Sequence, residues 1–341
     1  MKKKLGILAV IVIIILSAIT YTYYQNIFGS AINKETELFV YDTDDLNDIN
    51  KKIAPFSDKP DYFLWVASKK SFSKVKPGRY ILKEGMSNND LVNMLRIGNQ
   101  TSVKVSFNNQ DTLEKFAGRI AEQIATDSTS IITSFKNEEF LKANNLTPKS
   151  VLQICIPNSY QFYWTVSADQ FRDKLLLEYK RFWNKSRLAK AKALGMTKSE
   201  VITLASIVQK ETAKKIEKPI VAGLYLNRLK NGWPLQADPT VIYAIKEVKG
   251  QDFVVKRVLN VDLEINSPYN TYKYRGLPPS LISMPDISSI DGVLNYKEHN
   301  YYYMCVDIDN FGYHKFANSL AEHARNAREY QAWLNKQGVN R

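Results

Sequence analysis

Glu211 closes the run Val201-Ile202-Thr203-Leu204-Ala205-Ser206-Ile207-Val208-Gln209-Lys210-Glu211, and its type and position suit it to move a proton. On a helix with Leu204 set at zero, Ile207 falls at about −60°, Val208 at about +40°, Val201 at about +60° and Glu211 at about −20°. The carboxylate therefore lies in the middle of the apolar stripe. A carboxylate on a core-facing side is either paired or desolvated. Desolvation raises its pKa, as a general acid working near neutral pH requires. Pairing with Arg228, or a helix end that merely reaches solvent, are the competing readings, and the pattern alone does not choose. Asp238 offers a second carboxylate near Glu211, although Asp238-Pro239 also suits an N-cap followed by the first helical residue. Tyr269-Asn270-Thr271-Tyr272 and Gly276-Leu277-Pro278-Pro279 read as rigid loops. Aromatic rings there would stack on sugar faces and amides would bond hydroxyls, or the residues simply form turns.

The elements that must position these groups carry their own signals. Thr197-Lys198-Ser199-Glu200 is a capping box, flanked by Met196 and Val201 as a hydrophobic staple, so a helix starts there. Pro219 opens the next helix, with Val221, Leu224, Tyr225 and Leu229 as its stripe and Asn231-Gly232 as its stop. Upstream, Leu38 to Tyr41, Tyr80 to Leu82 and Val103 to Phe107 read as strands, and Tyr62 to Val66 is an apolar run. Ser87 caps a helix that carries Leu91, Met94 and Leu95 and stops at Gly98. Residues 31–107 thus form a small α+β module. From Thr112 to about Ala143 the pattern is helical, and Pro157 breaks the chain. Ser167 caps a long helix with Phe171, Leu175, Leu176, Tyr179 and Phe182 on one side. Its basic side (Lys174, Lys180, Arg181, Lys185, Arg187) reads as a solvated face before a binding surface. The whole is α+β.

The chain has 341 residues, 45% hydrophobic and 24% charged, which excludes a disordered or low-complexity protein. Two cysteines and three histidines leave little for a metal centre or a disulfide scaffold. Cys155 and Cys305, each between apolar neighbours, read as unpaired residues of buried strands. Forty-seven Lys and Arg against 34 Asp and Glu give a net charge of +13, which favours an anionic partner. Lys2-Lys3-Lys4 precedes an uncharged stretch, Leu5 to Tyr24, and twenty helical residues span about 30 Å, the hydrocarbon thickness of a bilayer. The lysines place the N-terminus in the cytoplasm and the remainder outside, with Tyr21, Tyr23 and Tyr24 at the far interface. No small-x-small site follows the run, which favours an uncleaved anchor over a signal peptide. An extracytoplasmic body points away from nucleic acid and toward lipid or wall polymer.

The segment Ala205 to Ala213 resembles the catalytic helix of the endolytic murein transglycosylases, the MltG or YceG-like family. Asn227-Arg228-Leu229, Leu235 to Tyr243, Tyr269 to Tyr272 and Gly276 to Pro279 follow in family order. His314-Lys315-Phe316 and Glu322-His323 resemble its C-terminal signature, and Pro77-Gly78-Arg79-Tyr80 its LysM-like module. Gln209 stands where the family usually carries Glu, which leaves the catalytic role to Glu211.

The resemblance implies an anchor over residues 1–30, a LysM-like α+β module over 31–107 and a YceG-like α+β catalytic domain over 108–341, with its core at 195–325. It implies cleavage of the MurNAc–GlcNAc β-1,4 bond within nascent peptidoglycan strands, leaving 1,6-anhydroMurNAc ends, with Glu211 as acid and then base. It implies no cofactor, and it makes Asn227, Gln236, Asp238, Tyr269, Asn270, Thr271 and Tyr272 substrate-binding residues. The protein would be a single-pass inner-membrane protein with a periplasmic catalytic domain and peptidoglycan synthases as partners. A muramidase using Glu211 and Asp238, and a catalytically silent wall-binding scaffold, are the rival readings.

Overall fold

A computed structural model describes residues 2–336, Lys2 by its backbone alone. Met1 of the N-terminal tip and residues 337–341 of the C-terminal domain lie outside the described residues. The chain folds as two units.

The first unit comprises Met1–Val105 together with Ala121–Asp127 and Tyr160–Ser167. Helix α1 (Lys2–Phe28) takes in the three lysines and the uncharged stretch after them. Its span Lys3–Phe28 is long and apolar enough to cross a membrane, and none of its most apolar window is buried by protein. Strand β1 (Thr36–Val40), helices α2 (Leu46–Ile53) and α3 (Pro60–Lys69), strand β2 (Gly78–Leu82), helix α4 (Asn88–Ile97) and strand β3 (Val103–Ser106) follow. The two first strands pair antiparallel, with Thr36 opposite Leu82 and Val40 opposite Gly78. Period-two alternation turns Leu38, Val40, Tyr80 and Leu82 into a core shared with Ile49, Ile53, Phe63, Val66 and Leu91. The apolar run at Tyr62 is helical, with Phe63, Val66 and Ala67 buried on one face. Ser87 caps α4 by accepting from the Asp90 amide, and Gly98 ends it at φ 79°, where a side chain would be strained. β3 pairs with β4 (Ser159–Phe162).

The second unit takes in Ser106–Ile120, Ser128–Ser159 and Ala168–Arg341. The helical signal after Thr112 resolves into three short helices, α5 (Leu113–Ala121), α6 (Ser128–Phe135) and α7 (Glu138–Ala143). Asn137 starts α7 by accepting from the Phe140 amide. Then come α8 (Ala168–Phe182), α9 (Lys185–Ala193), α10 (Lys198–Glu211), α11 (Lys218–Lys230), α12 (Asp238–Lys249), α13 (Ile287–Leu294), the hairpin β5 (Tyr303–Val306) and β6 (His314–Ala317), and α14 (Leu320–Lys336). Helix α10 packs against α11, α12 and α13. Every residue from Val201 to Val208 is buried, so α10 is enclosed all round, not amphipathic as its pattern suggests. Gly223 lets the segment before β5 approach α11, because a Cβ there would lie 2.4 Å from the Lys297 carbonyl oxygen.

The cysteines depart from expectation. Cys155 is buried but follows a 3-10 turn (Val151–Ile154), not a strand; short apolar runs do not distinguish the two. Cys305 does lie on a strand but is only half-buried, and both thiols are free.

Candidate active site

Helix α10 is fixed at its start by the Thr197–Glu200 capping box, with the Thr197 oxygen accepting from the Glu200 amide and Glu200 accepting from the Thr197 amide. Glu211 is its last residue, because Thr212 turns the backbone to extended geometry. Its carboxyl emerges into a cavity of about 430 Å³ lined also by Tyr225, Arg228, Gln236, Asp238, Tyr272, Tyr303, Cys305, His314 and His323. The end of an enclosed helix, and not an apolar stripe, aims it there.

The Tyr225 hydroxyl donates to Glu211 Oε1 at 2.6 Å. Although the residue is half-buried, protein around the carboxyl desolvates it and pushes its pKa up to about 7. The Tyr225 hydrogen bond and the charges of His314 and Arg228 oppose that rise, and the Asp238 carboxylate adds to it. Burial and the neighbouring Glu211 push the Tyr225 phenol well above its usual value, so it remains a donor. Arg228 does not pair with Glu211. Its guanidinium donates to the Tyr302 and Leu235 carbonyls at 2.8 and 2.6 Å, and so ties β5 and the turn before α12 to α11.

A second carboxylate behaves in the opposite way. Glu217, buried before α11, accepts from Thr212 Oγ1 at 2.6 Å, from the His314 amide at 2.7 Å and from His314 Nδ1 at 3.0 Å. Its burial favours the neutral form, but these donors and the His314 charge hold its pKa below the usual value. For His314, burial disfavours the imidazolium. The Glu217 bond and charge, and then the Glu211 charge, outweigh it and raise the pKa.

Asp238 is not an N-cap. Ala237 holds that position, and Asp238 is the first residue of α12, with its carboxylate accepting from the Tyr272 hydroxyl at 2.5 Å. The Pro239 signal is satisfied one position out of register. Gln236 sits at φ 49°, a left-handed conformation unusual for a residue with a side chain, and its Oε1 lies 3.4 Å from Arg228 Nη1.

The sequence matches the YceG-like family over residues 40–329. The chain belongs to the YceG-like family. It is 24% identical over 294 residues to a protein of Streptococcus pneumoniae strain D39, covering 79% of this chain and 53% of that relative. It is 26% identical over 283 residues to a protein of Bacillus subtilis strain 168, covering 79% and 76%. Both relatives are named endolytic murein transglycosylase. The chain spans about half the length of the pneumococcal relative. Its fold is that of a YceG-like protein of Listeria monocytogenes solved by crystallography, with TM-score 0.56, 24% identity and coverage of 86% of this chain and 98% of that one.

Within this YceG-like chain, Glu211, Gln236, Asp238 and Tyr272 line the cavity, whereas Asn227, Tyr269, Asn270 and Thr271 do not. Those four bond the surrounding backbone and loops instead. Asn227 donates to the His299 and Tyr301 carbonyls at 2.8 and 3.1 Å. Asn270 braces its loop through the Leu263 and Ile265 carbonyls and accepts from the Tyr272 amide. Thr271 holds the strained segment, its carbonyl accepting from the Gln236 amide and its hydroxyl from the Ala237 amide, both at 3.0 Å. Tyr269 is buried against Tyr243 and shares a 2.6 Å hydrogen bond with Ser280. Gln209 points elsewhere: its Oε1 accepts from Lys218 Nζ at 3.1 Å and from Ser289 Oγ at 2.6 Å, joining α10 to α11 and α13.

Sequence reasoning gave Tyr225 only a packing role, because a tyrosine on a helical stripe reads as core. It did not single out Glu217 at all, since nothing local marks a carboxylate whose partner lies 97 residues away. His323 stacks on Tyr303 at 5.2 Å, and its buried Nδ1 has no partner among the described residues. Among the described residues no group of three or more His, Cys, Asp or Glu is placed to hold a metal ion.

Proposed function

We propose that this protein is an endolytic peptidoglycan lytic transglycosylase and that Glu211 performs both proton transfers. The observation that carries the reading is the Glu211 carboxyl, held in a cavity with a pKa of about 7. Near neutrality it is partly protonated, so it can give its proton to the glycosidic oxygen and take one back. The relatives named endolytic murein transglycosylase supply the substrate class.

The Tyr225 hydrogen bond occupies Oε1 and leaves Oε2 for the substrate. Oε2–H protonates the oxygen between MurNAc C1 and GlcNAc C4, and the MurNAc C1–O bond breaks, so that the GlcNAc leaves with a 4-hydroxyl. The MurNAc 6-hydroxyl oxygen then bonds to C1 while the Glu211 carboxylate accepts the hydroxyl proton. The product is a 1,6-anhydroMurNAc end, and Glu211 returns to its acid form. Because the nucleophile belongs to the sugar, proximity assists the attack and no second catalytic carboxylate is required. Between the two transfers the carboxylate is stabilised by the Tyr225 hydroxyl and by the positive charges of His314 and Arg228. Asp238, held by Tyr272, adds a negative charge suited to a cationic sugar intermediate.

Asp238 in the same cavity also keeps a hydrolytic reading open, with Glu211 as acid and Asp238 as nucleophile or base. Mass analysis of products from purified sacculi separates the two: anhydro ends support transglycosylation, and reducing ends overturn it. Glu211→Gln is expected to lower product release by orders of magnitude while leaving glycan binding intact. Unchanged product from that variant would remove Glu211 from the mechanism.

The anchor reading of α1, with a cytoplasmic N-terminus and an extracytoplasmic body, belongs to the same proposal. So do the LysM-like reading of residues 31–107, the catalytic domain over 108–341 and a partnership with peptidoglycan synthases. A short tether confines cutting to strands close to the membrane.

A further inference from the structure

The junction between α1 and the first unit has no linker. The last carbonyls of a helix lack partners within it, and here the rest of the first unit supplies donors to two of them, Gln25 and Asn26. Lys59 Nζ donates to the Gln25 carbonyl at 2.8 Å. The fully buried Asn88 donates through Nδ2 to the Asn26 carbonyl at 3.0 Å and to the Lys59 carbonyl at 3.2 Å. Ile27 packs on the core of the unit, and the Ala31 amide bonds the Met86 carbonyl at 3.0 Å. The apolar and aromatic run ends at Tyr24, and the docking contacts begin with the amides Gln25 and Asn26 that follow it. These contacts also speak for a retained helix, since cleavage of α1 would take the Gln25 carbonyl from Lys59 and the Asn26 carbonyl from Asn88.

A helix fused in this way fixes which part of the unit meets the headgroups. Trp65 on α3 lies back along α1, its ring 6.0 Å from that of Tyr23, two residues inside the polar end of the helix. Tyr24 and Phe28 form a second aromatic pair at 5.2 Å. Trp65 is 37% exposed, and Lys69, one turn further along α3, holds its ammonium 5.5 Å from the indole. Asp61, Trp65, Ser68 and Lys69 make up the exposed face of α3. Tryptophan and tyrosine prefer the boundary between acyl chains and headgroups, and a nearby lysine can lay its stem on apolar surface and its charge on phosphate.

We propose that the Trp65–Lys69 face of α3 is a phospholipid-binding surface that seats the first unit on the outer leaflet of the membrane crossed by α1. This inference rests on the anchor reading of α1. The indole enters the boundary layer beside Tyr23, and Lys69 meets lipid phosphate. α1 then acts as a rigid post, not a leash, and the first unit keeps a fixed face to the membrane.

The test uses the full chain reconstituted into vesicles of phosphatidylethanolamine and phosphatidylglycerol brominated near the glycerol end of the acyl chains. Wild type and Trp65→Phe are compared by flotation and by tryptophan quenching, with circular dichroism confirming that both fold. Both proteins should float with the vesicles, and wild type should show a blue-shifted, bromine-quenched component that disappears in Trp65→Phe. Flotation of both with identical quenching would overturn the docking surface and leave the anchor standing. Failure of the wild type to float would overturn the anchor and the inference with it.

Discussion

The end of α10 and the turn before α11 each carry a desolvated glutamate, six positions apart, and the two are driven in opposite directions. Glu211 loses water and gains one hydrogen bond, from Tyr225, and its pKa rises to about 7. Glu217 loses water too, but three donors converge on it and its pKa falls. Burial alone therefore does not make an acid. The count of donors decides whether a desolvated carboxylate becomes a proton carrier or a fixed charge. Here the fixed charge orients His314, whose own charge reaches Glu211.

Substitutions that exchange the circumstances of the two sites break or sharpen this contrast. The largest effect is expected at the proposed proton carrier: Glu211→Gln should lower the rate of anhydro-product release from sacculi by about 10²–10⁴-fold, the usual worth of a general acid. Glu217→Gln should act first on the fold. It removes one partner of a buried charged pair, and such losses are worth about 3–5 kcal/mol, read as a lowered denaturation midpoint at pH 6.

Glu211→Gln should do the reverse to stability. The folded pKa of about 7 lies above the usual 4.5, so the carboxyl opposes folding once the unfolded chain ionises. That penalty is absent below about pH 4.5, grows as pH rises toward 7 and is complete above it. At pH 8 the variant should be more stable than wild type by up to about 3 kcal/mol, and at pH 4 the two should match. Equal midpoints at pH 8 would mean that the carboxyl is not desolvated. Smallest is Tyr225→Phe, which removes the one bond favouring the Glu211 carboxylate. The alkaline limb of the pH–rate profile should move upward, by about one unit.

The sequence made the local devices legible. The Thr197–Glu200 box, the Ser87 cap and the Gly98 stop depend on residues within a turn of one another, and each holds in the structure. Glu211 was legible as an inward carboxylate, though its wheel position gave the wrong reason: α10 is enclosed on every side and the acid emerges at its end. What was not legible is assembled across the chain. His314 reaches Glu217 over 97 residues, and Arg228 reaches Tyr302 over 74. Asp238 stands inside α12, behind Ala237 at the cap, and accepts from Tyr272 in the cavity, and no spacing rule anticipates that bond. The loop Tyr269 to Tyr272 sends only its last residue into the cavity; Asn270 bonds the Tyr272 amide, Thr271 holds Gln236 and Ala237, and Tyr269 bonds Ser280.

The claim beneath these predictions is that one carboxyl in the folded protein still holds its proton near neutrality. A carbon-13 NMR titration of glutamate-labelled protein reads this directly, with Glu211→Gln assigning the signal. One resonance should titrate close to pH 7 and be missing from the variant. A spectrum in which the Glu211 signal titrates near the usual 4.5 would contradict the account.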